Sequence, residues 1–187
     1  MIHSSRFTAI LDANVLYPAP LRDYLLHLAH LELYKPKWTK EIQEEWIRNL
    51  LLKRTDLKKE NLEKTREAMD SAFPDSNINN YEEIINSLSL PDDKDKHVLA
   101  AAIRVNADVI VTFNLKDFPS EYLKKYDIEA QGPDEFISNL ISLDKPKSLQ
   151  ALKNQVKSLR NPPMSTEEVL HTLENCGLKN SVWHLKN

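Results

Sequence analysis

The stretch Phe7-Thr8-Ala9-Ile10-Leu11-Asp12-Ala13-Asn14-Val15-Leu16 decides how this chain is read. An apolar run ends abruptly on an aspartate. Ile10 and Leu11 have the character of a buried parallel strand, apolar on both sides because helices cover both faces of such a sheet. A strand from Phe7 to Asp12 puts the carboxylate at its C-terminal end, the edge where open α/β sheets bind ligands. Taking a carboxylate out of water is costly unless a positive group or a donor meets it. Asp and Asn are also good helix N-caps, so on this stretch alone a cap and a metal ligand are equal readings of Asp12.

Working outward, Asp108-Val109-Ile110-Val111-Thr112 is the clearest buried strand, and the loop Phe113–Pro119 follows it. Leu33-Tyr34-Lys35-Pro36 predicts a short strand, and another is expected near Ile128. Between them the apolar spacing predicts helices. One follows Pro18 and Pro20, with Leu21, Leu25, Leu26 and Leu28 as its stripe. The next is capped by Thr39 and lined by Ile42, Trp46, Ile47 and Leu50. Residues 56–73 form a charged, solvated helix, and the connection 77–93 holds a short one around Tyr81–Leu88. Further helices are expected at His97–Val105, 120–125 and Pro133–Leu143. Strands alternating with helices predict a three-layer α/β/α sandwich with a mainly parallel sheet. Lys145-Pro146-Lys147 reads as a boundary, dividing the chain into a domain over 6–143 and a small all-helical extension over 145–187. The extension has a basic helix (148–159), a break at Asn161-Pro162-Pro163, and a helix capped at Ser165 or Thr166 that stops at Gly177. A last short helix ends it.

Composition narrows the chemistry. Hydrophobic residues make up 41% of the 187, enough for a sizeable core. The two glycines, Gly132 and Gly177, belong to no Gly-rich loop, which removes phosphate-loop and dinucleotide-fingerprint readings. Cys176 is the single cysteine, so neither a Cys-based zinc site nor an internal disulfide is available. Met1-Ile2-His3-Ser4-Ser5-Arg6 does not read as a signal peptide and no apolar run is long enough to span a bilayer, so a soluble cytoplasmic protein without membrane contact is expected. With a net charge of −3, any attraction for nucleic acid has to be local. Two basic stretches qualify: Lys53, Arg54, Lys58 and Lys59, and, in the extension, Lys145, Lys147, Lys153, Lys157 and Arg160. Lys153, Lys157 and Arg160 fall at i, i+4 and i+7, the spacing of one helical face. The plain reading of either stretch is a solvated surface.

Acidic residues recur at four places. These are Asp12 with Asn14 beside it; Glu41, Glu44 and Glu45 on the Thr39-capped helix; Asp92-Asp93-Lys94-Asp95-Lys96-His97 before the Ala-rich helix; and Asn114 with Asp117 after the second buried strand. Carboxylates gathered at one edge raise one another's pKa unless a cation neutralises them. Mg²⁺ or Mn²⁺ suits an all-oxygen site that retains water. Such an ion can lower the pKa of a bound water and clamp a phosphodiester. Each group also has a plain reading. Glu41 and Glu44 fit a solvated helix face, and Asp92 and Asp93 fit caps and turns. Asp95 sits where a helix dipole favours an acid, Asn114 suits a turn, and His97 reads as an ordinary polar residue of a first helical turn.

Four segments, in this order, carry a resemblance: Leu11–Leu16, Trp38–Trp46, Asp92–Ala102 and Thr112–Pro119. With them the chain, over roughly residues 6–143, resembles the PIN-domain ribonucleases, especially the VapC-type toxins of type II toxin–antitoxin systems. The resemblance implies a PIN-like sandwich and Mg²⁺-dependent cleavage of single-stranded RNA, leaving a 5′-phosphate and a 3′-hydroxyl. By position it implies a catalytic quartet of Asp12, Glu45, Asp95 and Asp117, with Asp12, Asp95 and Asp117 as metal ligands. Asn14 and Asn114 would support the quartet by hydrogen bonding, and Asp92 would be a supporting or alternative ligand. A slip of one residue along the helix would exchange Glu45 for Glu44, and Glu41 is the third choice. The RNA-binding residues expected are Lys53, Arg54, Lys153, Lys157 and Arg160. A homodimer and a cognate antitoxin that inserts an arginine into the acidic groove are implied as well. The extension resembles that of one PIN subgroup.

Two other readings stand beside this one. Haloacid-dehalogenase-like phosphatases also place an aspartate after the first strand and use Mg²⁺, but need a second aspartate two residues on. Asn14 holds that position and cannot transfer a proton. A non-catalytic PIN-like module binding RNA or protein would be expected to have lost carboxylates, and all four are present.

Overall fold

The computed structural model describes residues 7–187; the leading segment Met1–Arg6, with its expected lack of a signal, lies outside the described residues. The chain runs β1 (Thr8–Leu11), α1 (Ala13–Leu16), α2 (Ala19–His30), β2 (Lys35–Thr39), α3 (Lys40–Lys53), α4 (Lys59–Ala72), β3 (Asn77–Ile78) and α5 (Glu82–Ile85). A 3-10 turn at Asp93–Asp95 leads into α6 (Lys96–Arg104) and β4 (Val109–Val111), and a second at Leu115–Asp117 into α7 (Ser120–Leu123). After a third 3-10 turn at Lys124–Tyr126 come β5 (Glu129–Gln131), α8 (Pro133–Leu143), α9 (Lys145–Ser158), α10 (Thr166–Asn175) and α11 (Lys179–Lys186).

The five strands form one sheet in the order β3-β2-β1-β4-β5, and every pairing is parallel. Ile10 pairs with Ile110 and Lys37, which fixes β1 at the centre. Ala9, Ile10, Leu11, Ile110 and Val111 are almost wholly buried, as a strand covered on both faces requires. By the right-handed rule for parallel crossovers, the connections through α2 to β2 and through α3 and α4 to β3 share one face, and the return through α6 to β4 takes the other. The Val98–Ala102 run of α6 is fully buried and packs on β1, β2 and β4. Its three alanines let the helix lie close to the sheet. This is the expected α/β/α sandwich.

The structure departs locally from what the sequence leads one to expect. β2 begins at Lys35, two residues after the expected start, and takes in Trp38 and Thr39. Leu33 and Tyr34 are buried in the approach to the strand, Tyr34 through its hydroxyl bond to the Leu25 carbonyl at 3.0 Å, so their apolar signal came from packing and not from the ladder. β3 is only two residues long and carries no periodicity to read. Lys145-Pro146-Lys147 is the first turn of α9, separated from α8 by Asp144 alone, whose carboxylate caps the Lys147 amide at 3.0 Å. Proline is at ease there because a first-turn N–H has no helical partner to lose. α9 ends at Ser158, and Arg160 lies beyond it, bridged to Pro163. Lys153, Lys157 and Arg160 therefore do not share one helical face.

The C-terminal helices join the main core. α9 lies on α2, with the Tyr24 hydroxyl donating to the Ser148 carbonyl at 3.1 Å and the Gln155 amide to the Pro20 carbonyl at 2.9 Å. α11 packs against α8, and Leu152, Leu173, Leu178 and Val182 belong to the same buried cluster as the sheet.

Candidate active site

The strand order reverses between β1 and β4. From β1 the chain moves toward β2, and from β4 toward β5, so the connections part and leave a crevice at the strand ends. Asp12 and Thr112 are the residues immediately after those two strands. The Asp12 amide still donates to the Val111 carbonyl at 3.1 Å, which continues the ladder by one bond and fixes where the side chain starts.

Asp12 is 4% exposed and densely bonded. Its Oδ1 accepts from the Ala13 amide at 2.7 Å; its Oδ2 accepts from the Asn14 carboxamide at 2.8 Å and from the Thr112 hydroxyl at 2.7 Å. One oxygen thus does the work of a cap, and the other is held by side chains of the crevice. Burial raises the Asp12 pKa, the Thr112 and Ala13 bonds oppose this, and the Glu45 charge adds to the rise. Asn14 is locked in turn, because its Oδ1 accepts from the Phe113 amide at 3.0 Å. Thr112 Oγ1 also receives the Asn114 amide at 3.0 Å. Asn114 therefore meets this network through its main chain, whereas its carboxamide makes no hydrogen bond among the described residues.

Asp95 stands at the entrance to α6 and caps nothing with its side chain. Its carboxyl is pushed up to about 6, first by burial and then by the charges of Asp12, Asp117, Asp92 and Glu45. Its Oδ2 is buried without a hydrogen-bond partner. Three acids from separate elements, with Asp92 nearby, thus act on Asp95. Asp117 closes the 3-10 turn after β4, held by its amide bond to the Asn114 carbonyl at 3.0 Å. Asp92 is exposed and caps its own turn, accepting from the Lys94 amide at 2.9 Å.

The three glutamates of α3 part company. Glu44 is exposed and pairs with Lys40 at 3.5 Å. Glu41 lies 3.6 Å from His97 Nδ1 and accepts from the Tyr81 hydroxyl at 3.4 Å. Glu45 lies 3.7 Å from His97 Nε2, and its charge reaches both Asp12 and Asp95. His97 is buried between these two carboxylates. Burial alone would lower its pKa, but Glu45, then Glu41 and Asp12, outweigh burial and raise it. These acids therefore favour the positive form of His97. In the sequence His97 looks like an ordinary helix-start residue and Thr112 does not stand out. The available signals were its position two residues after Asp95, and a hydroxyl ending a strand beside an aspartate's strand.

Among the described residues no three Asp, Glu, His or Cys side chains stand together as a ready-made cation cage. The donor set nevertheless suits a hard cation that keeps water: the acids offer oxygen only, one buried oxygen has no partner, and like charges destabilise ionised Asp95. Asp12, Asp95 and Asp117 are the residues that would hold it.

The basic residues divide similarly. Lys53 sits 5.5 Å above the Tyr17 ring, whereas the Arg54 guanidinium is engaged by Asp56 at 2.6 and 2.8 Å. Lys153 and Lys157 are exposed on α9.

A parallel sheet in this order, with an acidic crevice at its reversal point, is the architecture of a class, and comparison with known families identifies it. The family described as "PIN domain" matches residues 8–116, more than half of the chain, and the chain belongs to the PIN-domain family. That match includes Asp12, Glu45 and Asp95 and ends one residue before Asp117. The domain described as "VapC50 C-terminal domain" matches residues 133–187, from α8 to the C-terminus. A relative in Mycobacterium tuberculosis named "Putative ribonuclease VapC50" is 41% identical over 80 residues, 43% of this chain and 47% of its own length. The matched segment thus spans about half the length of that relative. No solved structure matches the chain. Among the described residues no helix is long and apolar enough to cross a membrane.

Proposed function

We propose that the protein is a Mg²⁺- or Mn²⁺-dependent endoribonuclease of the VapC type, acting on single-stranded RNA as the toxin of a toxin–antitoxin pair in the cytoplasm. The observation that carries this reading is Asp95: a half-buried carboxyl, with one oxygen unpartnered, that feels the charges of Asp12, Glu45, Asp92 and Asp117 at the sheet's reversal point.

Asp12, Asp95 and Asp117 would hold the metal. When bound, it lowers the pKa of a water and offsets the charge that develops on the phosphate. The protein's own part is positional. Asn14 and Thr112 fix Asp12 Oδ2, so that the carboxylate need not reorganise as charge shifts. Glu45, steadied by His97, takes a proton from the attacking water. The water oxygen bonds to phosphorus, the bond from phosphorus to the 3′-oxygen breaks, and that oxygen takes up a proton. The products carry a 5′-phosphate and a 3′-hydroxyl. Asn14 also argues against a phosphatase of the haloacid-dehalogenase kind, since its carboxamide is committed at both ends and carries no transferable proton.

The resemblance further supports a homodimer and an antitoxin whose arginine or lysine enters the crevice in place of the metal's charge. Purified protein incubated with single-stranded RNA should cleave it only with Mg²⁺ or Mn²⁺ present, and Asp12→Asn should abolish cleavage. Products ending in a 2′,3′-cyclic phosphate would show that the ribose hydroxyl attacked and would overturn the mechanism.

A further inference from the structure

A groove of about 400 Å³ leads away from the acidic crevice, lined by Asn14, Tyr17, Asn49, Leu52 and Lys53. Asn14 belongs to both places: it bonds Asp12 and also lines the groove. The outer wall is α3. Glu41, Glu45, Asn49 and Lys53 follow one another at intervals of four along that helix, the spacing of a surface ridge. A single ridge thus runs from the glutamates that hold His97 to a lysine, passing an amide on the way. Leu52 beside it is 75% exposed, a large apolar side chain left uncovered at the rim. Tyr17 is half-buried, and a cation already rests on its ring, Lys53 at 5.5 Å.

We infer that this groove is a nucleotide subsite, which receives the base next to the scissile phosphate of an unpaired RNA strand. The inference rests on the nuclease reading of the adjoining crevice and specifies how that crevice selects its substrate. Each wall answers one part of a nucleotide. The Tyr17 ring and Leu52 offer a flat aromatic face and an apolar edge for stacking, which single-strand binders use because every base has a π-face. Asn49 presents a donor and an acceptor to a base edge, and its side chain makes no hydrogen bond among the described residues. Lys53, whose ammonium lies over the Tyr17 ring in the free protein, would swing off the ring on its flexible stem as a base takes that place, and meet the phosphate that follows. A duplex could not enter, since its bases are stacked on one another. An acidic protein segment is poorly matched to the carboxylates of the adjoining crevice, and a basic one to Lys53 in the groove.

The test compares two 5′-labelled RNA octamers by fluorescence anisotropy in metal-free buffer: one of mixed sequence, and one with the same sugar–phosphate backbone but no bases. Full-length wild type, Tyr17→Ala, Tyr17→Phe, Asn49→Ala and Lys53→Glu are titrated, with thermal melting to establish folding. Tyr17→Ala is expected to weaken the base-bearing strand roughly 5- to 100-fold, the range of one lost stacking contact, and to leave the abasic strand unchanged. Tyr17→Phe keeps the wild-type preference, Asn49→Ala alters the ranking among homopolymers, and Lys53→Glu weakens both strands. A Tyr17→Ala variant that binds both strands as the wild type does overturns the subsite, and if the wild type still cleaves RNA the nuclease reading stands. A wild type that does not favour the base-bearing strand overturns the subsite even where it cleaves RNA with Mg²⁺ present, and a protein that neither binds nor cleaves RNA overturns both. Variants that change only self-association assign the groove to a second copy of the chain and also overturn the inference.

Discussion

Asp12 and Asp95 are both aspartates at the crevice, yet their surroundings give them different work. Asp12 accepts three hydrogen bonds, so its charge is met by donors before any ligand arrives. Thr112→Val removes one donor without changing the side chain's shape much. It is expected to destabilise the fold by about 1–3 kcal/mol, the range for leaving a buried partner unmet, and to slow cleavage. Denaturant unfolding and an RNA cleavage assay would measure the two effects. Asp95 has few donors and many like charges, and its folded pKa of about 6 lies above the ordinary 3.8. Between those values the native state binds more protons than the unfolded chain, so this group's contribution to stability falls as pH rises through the window and is flat above it. Asp95→Asn removes that penalty. In metal-free buffer the variant should therefore be more stable than wild type at about pH 7, with the gap narrowing toward about pH 4. A gap independent of pH, measured by urea unfolding, would contradict the assignment. Asp12 was legible from sequence because it ends an apolar run. His97 was not, because what makes it unusual, its place between Glu41 and Glu45, comes from helices far apart in the chain.

Elements whose signals are local were the most readable. Thr39 caps α3, its hydroxyl accepting the Ile42 amide at 3.1 Å. Ser165 and Glu168 form a reciprocal capping box on α10. Gly177 ends that helix at φ +95°, a backbone region that side chains resist. A Cβ at Gly177 would meet Phe113 Cε1 at an ordinary 3.8 Å, so the cost of Gly177→Ala lies in the backbone. It is expected at about 1–2 kcal/mol by thermal or chemical unfolding. Signals that depend on tertiary packing were lost, as the late start of β2 and the two-residue β3 illustrate. The anchor of α11 belongs to the same group. The Asp134 carboxylate on α8 accepts from the Asn180 and Ser181 amides at 3.0 and 2.8 Å, and from both their side chains. Asp134→Ala should cost about 1–2 kcal/mol, as other lost caps do, and hydrogen exchange should show α11 opening before the sheet does.

At the scale of the whole molecule, alternating strands and helices announced a parallel sheet, but not the order of its strands. That order is what brings the ends of β1 and β4 together, and no single segment encodes it. The four acidic places could be gathered beforehand from their positions at strand ends and helix starts, but the choice of one acid from each came through resemblance to a family. The folded chain supplies the physical reason: one reversal point, with α3 and α6 delivering Glu45 and Asp95 beside it. The same arrangement sets a problem for substrate binding, since an acidic crevice in a protein of net charge −3 repels a phosphate backbone. We propose that Lys53 on the groove and the exposed Lys153 and Lys157 on α9 supply the local attraction. Charge reversal at both α9 lysines should weaken RNA binding and flatten its dependence on salt, with melting unchanged; an unchanged salt slope would assign α9 to packing or partner binding. The central claim, that the crevice holds a divalent cation, is tested most directly by calorimetric titration of Mn²⁺ into the wild type and Asp95→Asn. A saturable site is predicted in the wild type, weakening as pH falls through about 6 because protons compete for Asp95, and weaker by at least roughly tenfold in the variant. Equal affinity in the two proteins, or none in either, would contradict it.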